Sequence, residues 1–300
     1  KTMGIEDFNF NIVRDINNLN PKRPNLFNIY EEEVNIELGK STETGGKYAL
    51  KSLEAACEAL ENAKIDTLVT APINKHNIQS ESFKFPGHTE YLEKRFGNVK
   101  GLMMLCSDAL RVGVVTGHIP VVNIFASLST EKIYSKIKTI NKSLKEDFGI
   151  TKPKIAVMGL NPHAGDNGTI GNEELEMIVP AINKATEEHL MVFGPYSTDG
   201  FFGSSAYTKF DGVLAMYHDQ GLIPFKTLSF NSGVNFTAGL PIIRTSPDHG
   251  TAYDIAGQNR ADETSFRNAI YLACDIFNAR NNEKAISANP LKSSPGKKER

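Results

Sequence analysis

The chain has 300 residues, of which 40% are hydrophobic, and a formal net charge of −2 from 33 Lys and Arg against 35 Asp and Glu. This length is sufficient for a substantial buried core, in one large domain or two lobes. The balanced charge gives no broad field that favours nucleic acid or an anionic membrane, so we expect a ligand that is recognised locally.

Cysteine usage and hydropathy indicate an intracellular protein. Cys57, Cys106 and Cys274 lie far apart without paired spacing, which is typical of free thiols in a reducing cytoplasm. No run approaches the roughly 18 apolar residues of a membrane span, and no charged-then-apolar leader opens the chain. The chain begins with Lys1 rather than Met, so we expect an N-terminal piece to be absent.

The first third of the sequence predicts a helix that leads into a sheet. In residues 1–45, FNFNIV is interpreted as a strand and NNLNPKRPNLF as a turn-rich connection. Residues 46–64 carry Ala and Leu at helical spacing, and the apolar LVT that follows predicts a buried strand. This strand ends at Ala71-Pro72 and leads to a loop that carries Lys75.

A possible anion site follows in FPGHTEYLEKRFG. The pattern sets His88 and Thr89 at the start of a short helix, where free backbone N–H groups and the helix dipole favour negative charge. The alternative is that Thr89 only caps the helix.

Three predicted strands each end in a segment that carries a histidine. The strands cover residues 111–116, 154–160 and 212–217, and the histidines that follow them are His118, His163 and His218. Open α/β sheets place ligands at strand ends, so the three side chains are candidate functional groups. His189, in contrast, lies at a predicted helix end among charges, and we interpret it as a solvated residue.

The segment from Asp211 to Arg244 shows the strongest functional pattern. Its strand ends abruptly in a predicted loop, HDQG at 218–221, and beyond the loop come Lys226, Asn235 and Arg244, each beside apolar residues. One small anion can contact a histidine, two basic groups and an asparagine arranged in this way. The alternative is a lone histidine at a strand end with scattered surface charges.

The three strand-end histidines suit a metal site that is assembled from separate loops. Three neutral imidazoles with one open position are typical of a divalent ion such as Zn²⁺ acting as a Lewis acid on a substrate oxygen. The spacing is not that of a zinc finger. Hydrogen-bonded catalytic or core histidines remain the alternative.

Seven motifs resemble the 4-hydroxythreonine-4-phosphate dehydrogenase (PdxA) family, from about Gly39 to Ala279. They are TAPINK, FPGHTEY, TGHIP, GLNPHAGDNG, AMYHDQG, VNFTAGLPIIRTS and DHGTAYDIAG. The resemblance implies that His118, His163 and His218 hold the metal. It also implies that the substrate is bound by His88, Thr89, Lys226, Asn235 and Arg244.

The resemblance further implies an NAD-dependent oxidation, with decarboxylation, of 4-phosphooxy-L-threonine to 3-amino-2-oxopropyl phosphate in pyridoxal phosphate biosynthesis. The metal is expected to be zinc, with magnesium or cobalt as alternatives, and the protein a homodimer in which one subunit's histidine completes its neighbour's metal site. Asp199 and Asp219 are candidates for orienting metal ligands or the substrate amine. Lys75 is a candidate for substrate contact or proton transfer, with a surface lysine as the alternative.

The cofactor assignment depends on one loop. No GxGxxG follows the first strand, so an ordinary Rossmann site is not predicted. DHGTAYDIAG resembles the adenosine-side loop of the isocitrate and isopropylmalate dehydrogenases, which places NAD near a set of loop residues. These residues are Asp248, His249, Gly250, Asp254 and Asn259.

The same resemblance predicts a two-lobed α/β/α fold. Residues 1–87 plus 236–285 are expected to form the cofactor-side lobe and residues 88–235 the metal, substrate and dimerisation lobe. Residues 286–300 are expected to be a disordered tail, and disorder is predicted from Asn281 onward. The family's opening strand and its Gly-Asp-Pro-like loop are not found, so this N-terminal element is expected to be missing.

Three alternatives stay open at the level of sequence. A related dehydrogenase acting on phospho-D-threonate or phospho-erythronate would use the same anion site and metal. A three-histidine metal hydrolase would use no nicotinamide. A protein that binds without turnover is the third.

Overall fold

The computed structural model describes residues 9–229 and 232–288, and these contain ten β-strands and seven α-helices. The strands are β1 (Asn11–Val13), β2 (Asn25–Phe27), β3 (Leu68–Val69), β4 (Leu102–Cys106), β5 (Arg111–Thr116), β6 (Lys154–Met158), β7 (Met191–Tyr196), β8 (Gly212–Tyr217), β9 (Val234–Ala238) and β10 (Arg244–Pro247). The helices are α1 (Glu43–Glu61), α2 (His88–Arg95), α3 (Thr130–Glu146), α4 (Val179–Glu187), α5 (Thr198–Gly203), α6 (His218–Ser229) and α7 (Thr264–Ala288).

Eight of the strands form one mixed sheet in the order β3-β10-β9-β4-β5-β8-β6-β7, and β1 pairs with β2 apart from it. The run β5-β8-β6-β7 is parallel, whereas β4 and β9 are each antiparallel to both of their neighbours. Because parallel strands end at the same edge, the segments that follow β5, β8, β6 and β7 share one edge of the sheet.

Helices pack against both faces of this sheet. Helix α3 turns Ile133, Ile137, Ile140 and Leu144 inward at helical spacing, and all four are fully buried in a cluster that also holds residues of α4 and α7. Leu222 and Phe225 of α6 belong to a second buried cluster with the alternate side chains of β5 and β8. Each such side chain contributes about 1.5–3 kcal/mol through removal of apolar surface from water.

The predicted α/β class is therefore confirmed. The division into a cofactor-side lobe and a substrate lobe stays a prediction, since one sheet runs through both. Within residues 9–229 and 232–288, no helix is both long and apolar enough to cross a bilayer.

The predicted loop at residues 218–221 is wrong, because α6 begins at His218 itself. The sequence predicts Gly221 to be a turn residue, but it lies in α6 and is required for close packing of α6 on β5. An added Cβ there would lie 2.7 Å from Cγ1 of Val112. Asp219 in the first helical turn also interacts favourably with the helix dipole.

The prediction that disorder begins at Asn281 is also wrong. The described residues of the predicted 286–300 tail are helical as well. Helix α7 continues to Ala288, because Glu283, Lys284 and Ala285 are good helix formers. The remainder of the predicted tail, 289–300, lies outside the described residues. At the other end, the turn-rich connection contains the short strand β2, and the described part of FNFNIV forms strand only at Asn11–Val13.

Candidate active site

His118 and His218 lie side by side at the shared edge of the sheet. They follow β5 and β8, which are paired up to Thr116 and Tyr217. The Thr116 hydroxyl donates a 2.8 Å hydrogen bond to the carbonyl of Met216, which ties the two strand ends together. As a result, the imidazole centroids are 5.2 Å apart with an interplanar angle of 46°.

The local electrostatics keep this pair suited to metal binding. Nδ1 of His218 lies 2.7 Å from Oδ1 of Asp219, which orients the ring and leaves Nε2 for a ligand. Burial, then the charges of Lys75 and His218, lower the pKa of His118. A neutral imidazole has a free lone pair, so the donor chemistry of this pair fits a divalent transition metal.

His163 lies in an unusual left-handed turn after β6. Five consecutive residues, from His163 to Asn167, have φ between 42° and 78°. The buried carboxylate of Glu174 holds the start of this turn by accepting 2.7 Å hydrogen bonds from the backbone N–H groups of Leu160 and Asn161. Such a run of left-handed residues is costly and persists where the surrounding structure imposes it.

Asp199 is a neighbour of His163 from the next strand end along this edge of the sheet. It lies in the first turn of α5 and accepts a short hydrogen bond from the Ser197 hydroxyl. This bond, then the Gly200 backbone N–H and the charge of His163, lower the pKa of Asp199 and keep it ionised.

The structure therefore brings two of the three predicted metal histidines together. His118 and His218 form a pair, and His163 belongs to the next loop along the edge. Among residues 9–229 and 232–288 of one chain, no group of three His, Cys, Asp or Glu side chains is arranged to hold a metal ion.

A buried cationic cluster lies where β10 meets β3 and the start of α2. Arg244 is only 4% exposed, and its Nη2 lies 3.3 Å from Nδ1 of His88. Its Nε and Nη2 also donate hydrogen bonds of 3.1 and 2.8 Å to the Thr70 hydroxyl. The cluster joins Arg244 to residues that lie 156 and 174 positions before it in the sequence.

The charge states of this cluster follow from burial. Burial lowers the pKa of Arg244 to about 10, so the guanidinium stays charged near neutral pH. Burial and the Arg244 charge lower the pKa of His88 to about 3. His88 is therefore neutral, accepts at Nδ1 from Arg244 and carries its proton on Nε2, where it is a donor for an anion.

Thr89 and Asn235 add polar groups to the same region. Thr89 is the second residue of α2, and the cap residue of that helix is Gly87, so the alternative that Thr89 only caps the helix is not supported. Asn235 pairs with Ser246 across β9 and β10, so it shares a sheet face with Arg244. The buried Oδ1 of Asn235 has no hydrogen-bond partner within the described residues.

Lys226 forms an ion pair that the sequence did not predict. Its Nζ lies 3.5 Å from Oδ1 of Asp248, a residue we expected at the cofactor loop. Burial raises the pKa of Asp248, and Lys226 partly opposes this effect. The structure thus places Asp248 beside a candidate substrate residue.

Three of the predicted cofactor residues line a large cavity of about 1060 Å³. His249, Gly250 and Asn259 line it, together with residues 34–40 and 71–74, whereas Asp248 and Asp254 do not. Lys75 is exposed beside the start of α2, since an added Cβ at Gly87 would lie 3.7 Å from its Cε.

Sequence reasoning missed four residues of this site: Thr70, Glu90, Glu174 and Gln220. Thr70 precedes the Ala71-Pro72 break, and Gln220 is the third residue of the HDQG segment, so strand-end position was an available signal for both. Glu90 raises the pKa of both His118 and Arg244 by its charge, and nothing in its sequence context distinguishes it from a surface glutamate.

Comparison with solved structures identifies enzymes of related fold. The crystal structure of 4-hydroxythreonine-4-phosphate dehydrogenase from Klebsiella pneumoniae has a TM-score of 0.77 and 34% identity, over 89% of this chain and 82% of that one. A terephthalate 1,2-cis-dihydrodiol dehydrogenase from Burkholderia xenovorans has a TM-score of 0.59 and 25% identity, over 80% and 76% of the two chains. Fold and site together define an α/β oxidoreductase.

Sequence comparison then gives the family. The 4-hydroxythreonine-4-phosphate dehydrogenase of Bacteroides thetaiotaomicron is 53% identical over 285 residues, which is 95% of this chain and 78% of the relative. That of a Sulfurihydrogenibium species is 45% identical, over 89% and 82%. The model of the family described as pyridoxal phosphate biosynthetic protein PdxA matches residues 1–273, and the chain belongs to this family. The resemblance seen in the sequence is confirmed, and the match starts before Gly39.

Proposed function

We propose that this protein oxidises and decarboxylates 4-phosphooxy-L-threonine to 3-amino-2-oxopropyl phosphate, using NAD⁺ and a divalent metal. The observation that carries the proposal is the pairing of a buried, charged Arg244 with a neutral His88. The same region holds the Asn235 amide oxygen, which has no partner in the part of the chain that the structure describes. A substrate with a phosphate and an ammonium group complements such a set of donors and acceptors.

The substrate phosphate is assigned to the cationic cluster. Arg244 provides a permanent charge, His88 an Nε2–H donor and Thr89 a hydroxyl at the N-terminal end of α2. Lys226 adds a second cation that Asp248 holds in place. Buried donors of fixed orientation bind a phosphate dianion without the reorganisation that water would need.

The metal is assigned to His118 and His218, with His163 as the third ligand. The neutral state of His118 and the Asp219-oriented ring of His218 support this assignment. A bound divalent ion, with zinc favoured by imidazole ligands and magnesium or cobalt as alternatives, would supply Lewis acidity to the substrate hydroxyl.

The remaining polar residues are assigned to charge and proton handling. Lys75 lies near enough to His118 for its charge to lower the pKa of that imidazole, and we assign Lys75 to substrate contact or to proton transfer at the substrate hydroxyl. The carboxylates of Asp199 and Asp219 are assigned to the substrate ammonium and to the orientation of metal ligands.

NAD is assigned to the 1060 Å³ cavity. This volume exceeds the usual range for small-ligand sites and is sufficient for a dinucleotide. His249, Gly250 and Asn259 supply polar contacts along it, whereas the predicted roles of Asp248 and Asp254 at the cofactor have less support because neither lines the cavity. NAD⁺ would accept the hydride that leaves C3 of the substrate.

A homodimer would complete the metal site. Directly after His118 the chain exposes Val121 (81%), Val122 (84%) and Phe125 (57%), a cluster that we call the apolar patch. Exposed apolar clusters of this kind mark protein interfaces, and this one adjoins a proposed metal site for which the described residues of one chain supply an incomplete ligand set. We assign a second copy of this chain to the apolar patch, where its histidine would complete the set.

The deciding experiment measures NADH absorbance with 4-phosphooxy-L-threonine, phospho-D-threonate or phospho-erythronate, each with and without a chelator. The proposal predicts chelator-sensitive NADH formation that is fastest with 4-phosphooxy-L-threonine. Faster turnover of phospho-D-threonate or phospho-erythronate would show that this compound, and not 4-phosphooxy-L-threonine, is the substrate. Product without NADH would indicate a metal hydrolase.

A further inference from the structure

We propose that Gln220 is a positioning residue that holds three active-site segments, those of His163, Asp199 and His218, in one arrangement. This inference rests on the proposed function, because those segments carry the metal ligands and a carboxylate assigned there.

The Gln220 amide makes a complete set of internal hydrogen bonds. The residue is 7% exposed, and its Oε1 accepts a 2.6 Å hydrogen bond from the backbone N–H of Met216. Its Nε2 donates to the carbonyl of Gly159 at 2.5 Å and to the hydroxyl of Thr198 at 2.9 Å. Both amide protons and the amide oxygen are therefore used.

The three partners belong to three different strand ends. Met216 lies in β8, two residues before His218, and Gly159 follows β6, four residues before His163. Thr198 begins α5 after β7 and directly precedes Asp199. One buried side chain thus links the segments on which the proposed metal and substrate groups depend.

This link matters because the hydrogen bonding between β6 and β7 becomes irregular near the ends of these strands. The register between β6 and β7 shifts between Ala156 and Met158, so the regular ladder does not fix the two segments beyond it. Past that point Gly159 N–H bonds to Tyr196 O at 2.8 Å, and Gln220 adds the connection to β8. Without Gln220, the Gly159 carbonyl and the Thr198 hydroxyl lose their shared donor.

The hydrogen bonds at position 220 require a side chain that both accepts and donates, as an amide does. Glutamate at position 220 would keep the acceptor for Met216 but would place an oxygen against the Gly159 carbonyl, where a donor is needed. Methionine would fill a similar volume and form none of the three bonds. A role in packing alone therefore tolerates Gln220→Met, whereas a positioning role tolerates neither substitution.

The test compares full-length Gln220→Met, Gln220→Glu and Thr198→Val with the wild type. Zn²⁺ affinity is measured by competition with a chromophoric chelator, and Co²⁺ spectra report the ligand geometry. We expect Zn²⁺ binding about 10- to 100-fold weaker in both Gln220 variants and about 3- to 10-fold weaker in Thr198→Val, with an altered Co²⁺ spectrum.

Ser143→Ala is the matched control, because it removes a buried 2.7 Å hydrogen bond to Asp147, near the end of α3. It should lower thermal stability and leave Zn²⁺ affinity unchanged. Wild-type Zn²⁺ affinity in the Gln220 variants would overturn this inference and leave the proposed function intact. If the Gln220 variants do not fold, wild-type Zn²⁺ affinity in Thr198→Val has the same meaning. A wild type that neither binds Zn²⁺ nor reduces NAD⁺ would overturn the proposed function and this inference together.

Discussion

The hydroxyl oxygen of Thr70 accepts two hydrogen bonds from Arg244, at 3.1 Å from Nε and 2.8 Å from Nη2, although the residues are 174 positions apart in sequence. Both are buried; Arg244 begins β10 and Thr70 directly follows β3, and these two strands are adjacent and parallel. A guanidinium held in this way has little freedom to rotate, so its orientation toward the proposed phosphate position is set in the free protein.

Removal of this hydroxyl should weaken substrate binding. Thr70→Val keeps the shape of the side chain and leaves two buried donors of Arg244 without their acceptor, which costs about 1–3 kcal/mol. We expect KM for the phosphorylated substrate to rise by about tenfold or more with a smaller change in kcat, as measured by NADH formation. Thr70→Ser retains the oxygen and should remain close to wild type, and equal kinetics for the two variants would contradict a positioning role for Thr70.

His88 should make the protein less stable in mild acid. Its pKa falls from 6.5 to about 3 on folding, so between these values the unfolded chain binds a proton that the folded protein does not. The stabilisation is complete above pH 6.5 and decreases as pH falls, by about 1.4 kcal/mol per pH unit.

The measurement is urea unfolding at pH 7.0 and pH 5.5 for the wild type and His88→Asn. Asparagine keeps an acceptor for Arg244 and does not titrate. The wild type should lose about 1 kcal/mol more than the variant across this interval. Identical losses would show that His88 is protonated in the folded protein.

The histidines should separate into two groups by function. His118→Ala, His163→Ala and His218→Ala should each abolish Zn²⁺ binding and metal-dependent turnover, because a site with three ligands rarely tolerates loss of one. His189 is exposed with φ of 62°, so His189→Asn, which suits that backbone, is the control and should behave as wild type. Similar losses in all four variants would mean that the histidines are assigned wrongly.

A charge in the apolar patch should separate the proposed dimer. In an isolated chain Val122 is 84% exposed, so Val122→Glu would change stability by less than about 0.5 kcal/mol. If a second copy covers it, the variant buries an unpaired carboxylate, and we expect monomers in analytical ultracentrifugation with loss of Zn²⁺ binding.

Ile286→Glu, on the exposed side of α7, is the matched control for this variant. It places the same charge on an exposed isoleucine away from the patch and should remain dimeric. A dimeric Val122→Glu protein that binds Zn²⁺ normally would contradict the assignment of a partner to this surface.

Strand-end positions explain how much of the site was predictable. His118 and His218 follow apolar runs that read as buried strands, and adjacent parallel strands end at one edge, so their proximity follows from the pattern. His88 at a helix start and the α/β class were likewise predictable, because helical and strand periodicities are local signals.

The rest of the site depends on tertiary structure that has no local signal. The link between Thr70 and Arg244 requires the pairing of β3 with β10, and a one-residue change in that register would turn the side chains away. The ion pair of Asp248 with Lys226 is likewise a tertiary contact of which the loop motif alone gives no sign. The left-handed turn at His163 is equally hidden, since four of its five residues are not glycine.

The pairing of β5 with β8 has a consequence for biosynthesis of the protein. It brings together histidines exactly one hundred positions apart, and the cationic cluster needs a residue that is synthesised later still. A nascent chain released before Arg244 would therefore lack the cationic cluster, and one released before His218 would lack the histidine pair as well. Truncated products of either kind should be catalytically silent.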